Sequence, residues 1–208
     1  PIANLLLYAQ LLEEQDLPPE SREYASALEH QAEKLRFLID ALVKTSRLES
    51  GVLAMTPKRH GIQQLLDAAS AQAAPGAEAK AITLTVEPTD LTARFDPKWT
   101  AEALYNLVDN AVKYTPAGGA VTLRAVGYEL FCRVDVTDTG PGIPESEQAR
   151  IFQRFYRSPS ASEAEGVGIG LYLARQIAAG QGGYLKVSSR PGEGSTFSLF
   201  LPRAEERT

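Results

Sequence analysis

Two apolar periodicities divide this chain near residue 57. Over residues 2–16, Ile2, Leu5, Ala9 and Leu12 recur at spacings of 3, 4 and 3; over residues 20–50, Leu28, Leu35, Leu38 and Leu42 recur at 7, 3 and 4. Such spacings belong to the seams of helices packed side by side. The run D-L-P-P-E at 16–20 separates them, with Pro19 starting the second helix. So short a connection predicts an αα-hairpin. Neither helix can bury its stripe alone, so the hairpin is expected to pair with a second copy into a four-helix bundle. Leu48–Met55 and Pro57 read as a hinge, with Gly51 as the helix stop.

From about residue 58 the pattern alternates between periods of 3.6 and 2. It predicts a helix over 61–73, a strand over 82–86, a short strand at 93–95 and a helix that follows Asp96-Pro97. Strands over 120–127 and 129–137 form a hairpin across Gly127. A helix from Ile169 to Ala179 stops near Gly180 and Gly182, and strands over 184–189 and 196–201 complete the set. The strands read apolar-in, polar-out, as one solvated sheet face requires. The fold class is therefore α+β: residues 1–55 as a helical hairpin, then residues 56–208 as a two-layer sandwich of helices on a mixed, mostly antiparallel sheet.

Composition narrows the function more than the fold. Of 208 residues 44% are hydrophobic and 23% charged, which excludes a disordered chain. A net charge of −5 speaks against nucleic acid, whose partner surfaces are basic. No apolar run is long enough to span a bilayer, and P-I-A-N-L-L-L-Y lacks the basic start of a signal peptide. The single Cys132, within F-C-R-V-D-V, reads as a buried structural thiol and rules out an intrachain disulfide.

Three short stretches carry the candidate chemistry: N-L-V-D-N-A-V-K-Y at 106–114, D-T-G-P-G at 138–142 and G-V-G-I-G-L at 166–171. On a helix, Asn106, Asn110 and Lys113 share a face, while Leu104, Leu107, Val108, Ala111 and Val112 can pack behind it. The other two are glycine turns that let backbone approach a ligand closely. Amide oxygens that suit a hard cation, a carboxylate at a turn and a glycine loop opening a helix describe a Mg-nucleotide pocket. A Walker A string is absent, and Gly166, Gly168 and Gly170 are spaced G-x-G-x-G without the preceding strand of a dinucleotide fingerprint.

The ordered set resembles the N, G1, F, G2 and G3 boxes of sensor histidine kinases of two-component systems, which share an ATPase superfamily with gyrase and mismatch-repair ATPases. The matching segments are L-Y-N-L-V-D-N-A-V-K-Y-T-P at 104–116, D-T-G-P-G-I-P at 138–144, F-Q-R-F-Y-R at 152–157, G-V-G-I-G-L at 166–171 and G-E-G-S-T-F at 192–197. The resemblance implies a Bergerat fold and transfer of the ATP γ-phosphoryl group to a histidine. It implies Mg²⁺ and ATP as cofactors and a homodimer formed through the hairpin. A response regulator receiver domain would be the partner. It also implies a cytoplasmic location, with membrane attachment only through segments outside these residues.

Residue by residue, the resemblance gives Asn106, Asn110 and Lys113 the catalytic roles, with Asn110 as the Mg²⁺ ligand and Asn106 assisting. Lys113 and Tyr114 would meet phosphate and the sugar or base. Asp138 can accept from the exocyclic amine of adenine, where guanine presents a carbonyl. Gly140 and Gly142 leave room for the base, and Thr196 matches a hydroxyl behind it. Ile143–Glu165 resembles an ATP lid, which Phe152 and Phe155 could anchor while Arg154 or Arg157 reaches toward phosphate. Gly166, Val167, Gly168, Ile169, Gly170 and Leu171 would line the phosphates at a helix N-terminus. Val167 stands where the family usually has Thr or Ser, so one hydroxyl contact is missing.

In the hydrolase branches of this superfamily a Glu four residues before the metal-binding Asn activates water. Here that position is Asn106, which favours transfer to an external nucleophile. The family's acceptor motif has the form H-E-x-x-x-P, and Pro1 resembles its proline, which places the acceptor before residue 1. His30 and His60 match no acceptor position, so the chain by itself is not expected to autophosphorylate. A degenerate nucleotide-binding scaffold, or a serine kinase or ATPase of the same superfamily, stays open as an alternative.

Overall fold

The computed structural model describes residues 2–13, 15, 18–49, 55–158 and 167–204, without the side chains of 13, 37, 41, 44, 45 and 47–49. Two compact units divide near residue 50. The first holds α1 (Ile2–Glu13) and α2 (Pro19–Glu49), packed on each other with Leu6, Ala9 and Ala25 buried. The seam positions divide: Ala9 is covered, whereas Leu5, Leu12, Leu28, Leu35 and Leu42 stay exposed. The hairpin alone therefore does not bury the stripe. α1 ends at Glu13 rather than at residue 16, and Gln15 N donates back to Leu12 O in a closing turn. The hinge at 50–54, with Gly51, lies outside the described residues.

The second unit runs β1 (Lys58–Gly61), α3 (Ile62–Ala79), β2 (Thr83–Val86), β3 (Thr92–Phe95) and α4 (Pro97–Tyr114). It continues with β4 (Ala120–Gly127), β5 (Phe131–Asp138), α5 (Glu145–Gln148), α6 (Gly170–Gly180), β6 (Tyr184–Arg190) and β7 (Gly194–Pro202). A five-stranded sheet has the order β2-β4-β5-β7-β6; β2 pairs parallel with β4 and the other pairs are antiparallel. Val121, Leu123, Val134, Val136, Leu185, Phe197, Leu199 and Leu201 alternate onto one face and are buried, with α3, α4 and α6 in the layer that packs with the sheet. The opposite face carries Asp135, bonded by Arg124, Arg133 and Ser198.

Three local readings are corrected. α3 continues to Ala79 through Pro75, because Ala73 and Ala77 are buried and Gly76 abuts Val112 of α4, so packing outweighs the proline's missing N–H. β3 does not join the large sheet; it pairs antiparallel with β1, a strand that the sequence pattern missed. The β4–β5 turn spans Tyr128–Leu130 instead of closing at Gly127, and Tyr128 N donates to Phe131 O.

α4 carries Asn106, Asn110, Lys113 and Tyr114 of the candidate site. Pro97 at its first turn presets the helical φ, and Asp96 caps it by accepting from Lys98 N and Trp99 N at 3.1 and 3.3 Å. The other Asp96 oxygen accepts Thr56 N at 3.0 Å. Trp99, Ala103, Leu104, Leu107, Val108, Ala111 and Val112 bury the opposite side of the helix. Among the described residues no helix is long and apolar enough to cross a membrane.

Candidate nucleotide-binding site

α4 aligns Asn106, Asn110 and Lys113 as the helical period requires, all partly exposed. Asn106 Nδ2 donates to Glu102 O at 2.9 Å, while its Oδ1 faces the first residue of α6. A Cβ placed on Gly170 would lie 2.8 Å from that oxygen. The Asn110 amide has no hydrogen-bond partner among the described residues. Lys113 Nζ stands 5.7 Å from the Tyr114 ring centroid. Burial raises the Tyr114 hydroxyl pKa; the Arg157 charge opposes that shift and Asp109 adds to it.

Asp138 closes β5, buried among the core positions of the sheet. Its Oδ1 accepts Gly140 N at 2.8 Å and Ser195 N at 3.2 Å. Burial raises its pKa, and those two backbone bonds oppose the rise. Its second oxygen has no bond among the described residues, so one acceptor is left for a donor from outside. Gly140 is wedged beside it: a Cβ there would lie 2.7 Å from Asp138 Oδ1 and 3.3 Å from Tyr114 O. Gly142 takes φ +74°, and a Cβ on it would reach 2.0 Å from Arg190 O. Ile143 N donates to Ser189 Oγ at 2.8 Å, tying the glycine turn to β6.

The second glycine loop joins the aromatic segment before it. Gly168 takes φ +74°, its carbonyl accepts Phe155 N at 2.9 Å, and a Cβ on it would lie 2.5 Å from Tyr156 O. Ile169 is buried and supplies no side-chain cap to α6, while Val167, Gly170 and Leu171 are partly exposed. Gly166 lies outside the described residues. Phe152 anchors this region, buried edge-on to Phe197 at 6.5 Å. Phe155 does not share that role: it is 52% exposed, with φ +62°. Arg154 stacks on Tyr172 of α6 at 5.0 Å, and Arg157 acts on the Tyr114 hydroxyl.

Asn106 with Gly170, Tyr114 with Gly140, and Asp138 with Ser195 thus bring α4, α6, the loop after β5 and the start of β7 together. Among the described residues no three His, Cys, Asp or Glu side chains cluster to hold a metal. A cation here would depend on amide, phosphate and water oxygens, a donor set that suits Mg²⁺. Residues 95–205 match the family model "Histidine kinase-, DNA gyrase B-, and HSP90-like ATPase". The chain belongs to this ATPase family.

Residues 1–51 match the His Kinase A (phospho-acceptor) domain, and together the two matches mark a sensor histidine kinase catalytic region. Sensor protein DivL of Caulobacter vibrioides is 34% identical over 99% of the chain and 27% of its own length. The adaptive-response sensory kinase SasA of a Synechococcus strain is 35% identical over 83% of the chain and 46% of its own. Full-length ShkA, solved in complex with AMPPNP, superposes with a TM-score of 0.83 at 29% identity, covering 100% of this chain and 44% of that one. The chain spans between about a quarter and a half of these curated relatives.

Within this histidine kinase region one candidate is misplaced. Thr196 sits opposite Thr137 in the β5–β7 register and bonds its hydroxyl at 3.1 Å, on the sheet face away from Asp138. Ser195 is the residue opposite Asp138. Strand parity could have found it, because Phe197, Leu199 and Leu201 set the buried face and 195 belongs to that series. The hydroxyl of Ser195 meets Ser189 Oγ at 3.0 Å, in the same group that receives Ile143 N.

Proposed function

We propose that this chain binds Mg-ATP between α4, α6 and the loop after β5, and transfers its γ-phosphoryl group to a histidine nitrogen of a phospho-acceptor helix. The observation that carries the reading is the pair of amides on α4. Asn106 stands where a hydrolase would hold a carboxylate base, and the amide of Asn110, one turn on, has no partner among the described residues. Water is then not activated at this position, and transfer to an external nucleophile is favoured. The match to a phospho-acceptor domain over residues 1–51 supports the same direction.

The Asp138 oxygen that no described residue engages accepts from the adenine amine, with Gly140 and Gly142 keeping side chains out of the base's way. Lys113, with Arg154 or Arg157, meets phosphate oxygens at the uncapped start of α6. Asn110, assisted by Asn106, holds Mg²⁺. When bound, the ion neutralises charge on the transferring phosphoryl group. On this reading residues 1–55 form the dimerisation hairpin and residues 56–208 the ATP-binding domain. A response regulator receiver domain takes the phosphoryl group onward. His30 and His60 are not the acceptor; the His60 ring packs on Phe95 at 5.3 Å.

The test is a calorimetric titration with ATP and GTP, followed by labelled ATP mixed with a hairpin that carries an acceptor histidine. ATP is expected to bind more tightly, and acid-labile label to appear on the hairpin. Equal affinities sink the adenine assignment. Tight ATP binding with no label at any hairpin concentration favours the inert scaffold.

A further inference from the structure

The C-terminal end of α4 is held by a side chain from outside the five motifs. Lys80 follows α3, and its Nζ donates to Val112 O at 2.9 Å, Lys113 O at 2.8 Å and Thr115 O at 2.6 Å. An ammonium has three donors, and all three are used. The carbonyls at a helix C-terminus lack intrahelical partners and carry the negative end of the dipole, so a cation is well matched there. Ala111 O is already taken by Thr115 N and Thr115 Oγ1. Lys80 covers the next two carbonyls and one beyond the helix.

The backbone of Lys80 clamps the same turn from the other side. Its carbonyl accepts Gly118 N at 3.0 Å, and Thr83 N donates to Gly119 O at 2.9 Å. The turn that leaves α4 is therefore fixed by Lys80 at both its start and its end. Lys113 belongs to this last turn, on the helix face that also carries Asn106 and Asn110. Asp138, in contrast, is held by Gly140 N and Ser195 N without Lys80.

We propose that Lys80 is a positioning residue for nucleotide binding: by gripping the carbonyls of Val112, Lys113 and Thr115 it sets where Lys113 meets the phosphates. The proposal rests on the nucleotide reading given above. It separates the two ends of the ligand, because the base end depends on Asp138 and the phosphate end on the last turn of α4. Loss of overall stability alone would lower the affinity of both ends alike.

The experiment titrates ATP and adenosine into the wild-type chain and the Lys80→Met variant, at a temperature where both are folded by circular dichroism. Lys80→Met is expected to lose about tenfold in ATP affinity and less than about twofold in adenosine affinity, since an end-specific loss of one charge-assisted contact is of that order. Equal losses for the two ligands, or no loss, overturn the proposal. If Lys80→Met does not fold, Lys80→Gln replaces it as a neutral amide of similar reach, with the same two outcomes. A wild-type chain that binds neither ligand overturns the nucleotide reading and this proposal together.

Discussion

Gly170 stands against Asn106 so closely that a methyl group on 170 would lie 2.8 Å from the Asn106 Oδ1 and 3.5 Å from its Cγ. A helix of the second glycine motif and a helix of the asparagine motif therefore meet at a point with no space for a side chain. What would be displaced is the end of an amide that can rotate. The collision acts on Asn106 more than on the fold.

Gly170→Ala is accordingly expected to leave unfolding free energy within about 1 kcal/mol of wild type, since alanine also favours the helix. Phosphoryl transfer should fall by about tenfold or more as Asn106 turns away. Gly142→Ala makes the contrast. There the obstacle is the Arg190 carbonyl at 2.0 Å, and φ is +74°, so backbone must move. A loss above about 2 kcal/mol is expected. Urea unfolding of both variants beside a transfer assay measures the difference, and equal destabilisation would contradict it.

Asn110→Ala should remove the amide oxygen without disturbing packing, because that side chain is partly exposed and makes no bond among the described residues. Phosphoryl transfer to a supplied acceptor hairpin is expected to drop by about 100-fold or more, and ATP affinity by less than about tenfold. Near-normal transfer would take Asn110 out of the metal role.

Two buried carboxylates titrate in opposite directions. Asp96 is penalised by burial, but hydrogen bonds from Thr56, Trp99 and Lys98 outweigh that and lower its pKa below 3.8. The stability it contributes is present above 3.8 and is lost as pH falls through the lowered folded value. For Asp138 burial wins and the pKa rises above 3.8, so its contribution is present below 3.8 and is lost as pH climbs through the raised folded value. Asp96→Asn should therefore cost stability at pH 7 and less in acid. Asp138→Asn should gain on wild type between about pH 3 and pH 7. Urea midpoints across that range decide; parallel curves for the two variants would refute the opposite signs.

The two aromatic residues of the F-Q-R-F-Y-R segment should differ by a wide margin. Phe152 is 8% exposed and packed on Phe197, so Phe152→Ala is expected to cost about 3 kcal/mol. Phe155, at 52% exposure, should cost less than about 1 kcal/mol as alanine. Phe155→Gly should restore stability relative to Phe155→Ala, because residue 155 holds φ +62°. Denaturant unfolding of the three variants measures this directly.

The helix of the asparagine motif was legible because Asp96-Pro97 marks its start and its apolar positions recur with helical period. β1 was not, since Lys58, Arg59, His60 and Gly61 show no apolar alternation; the strand exists through pairing with β3. Pro75 concealed the last turn of α3, where tertiary packing overrides a local breaker. The misassignment of Thr196 came from matching a motif by letters, whereas the fold sorts residues by strand parity. Lys80 escaped notice for a different reason. Its partners are backbone carbonyls 32 to 35 residues away, and carbonyls leave no trace in composition or spacing.

The Thr56 N–H bond to Asp96 spans 40 residues of sequence yet ends on the cap of an 18-residue helix. At 1.5 Å per residue that helix is a rod of about 27 Å. One end is fastened to the segment by which the chain enters this unit, and the other carries Asn110 and Lys113. Residue 56 and Lys113 thus stand at the two ends of one rod. A tug on the entering segment either strips the cap or shifts the rod along its axis, and amide exchange at Lys98 and Trp99 would tell the two apart.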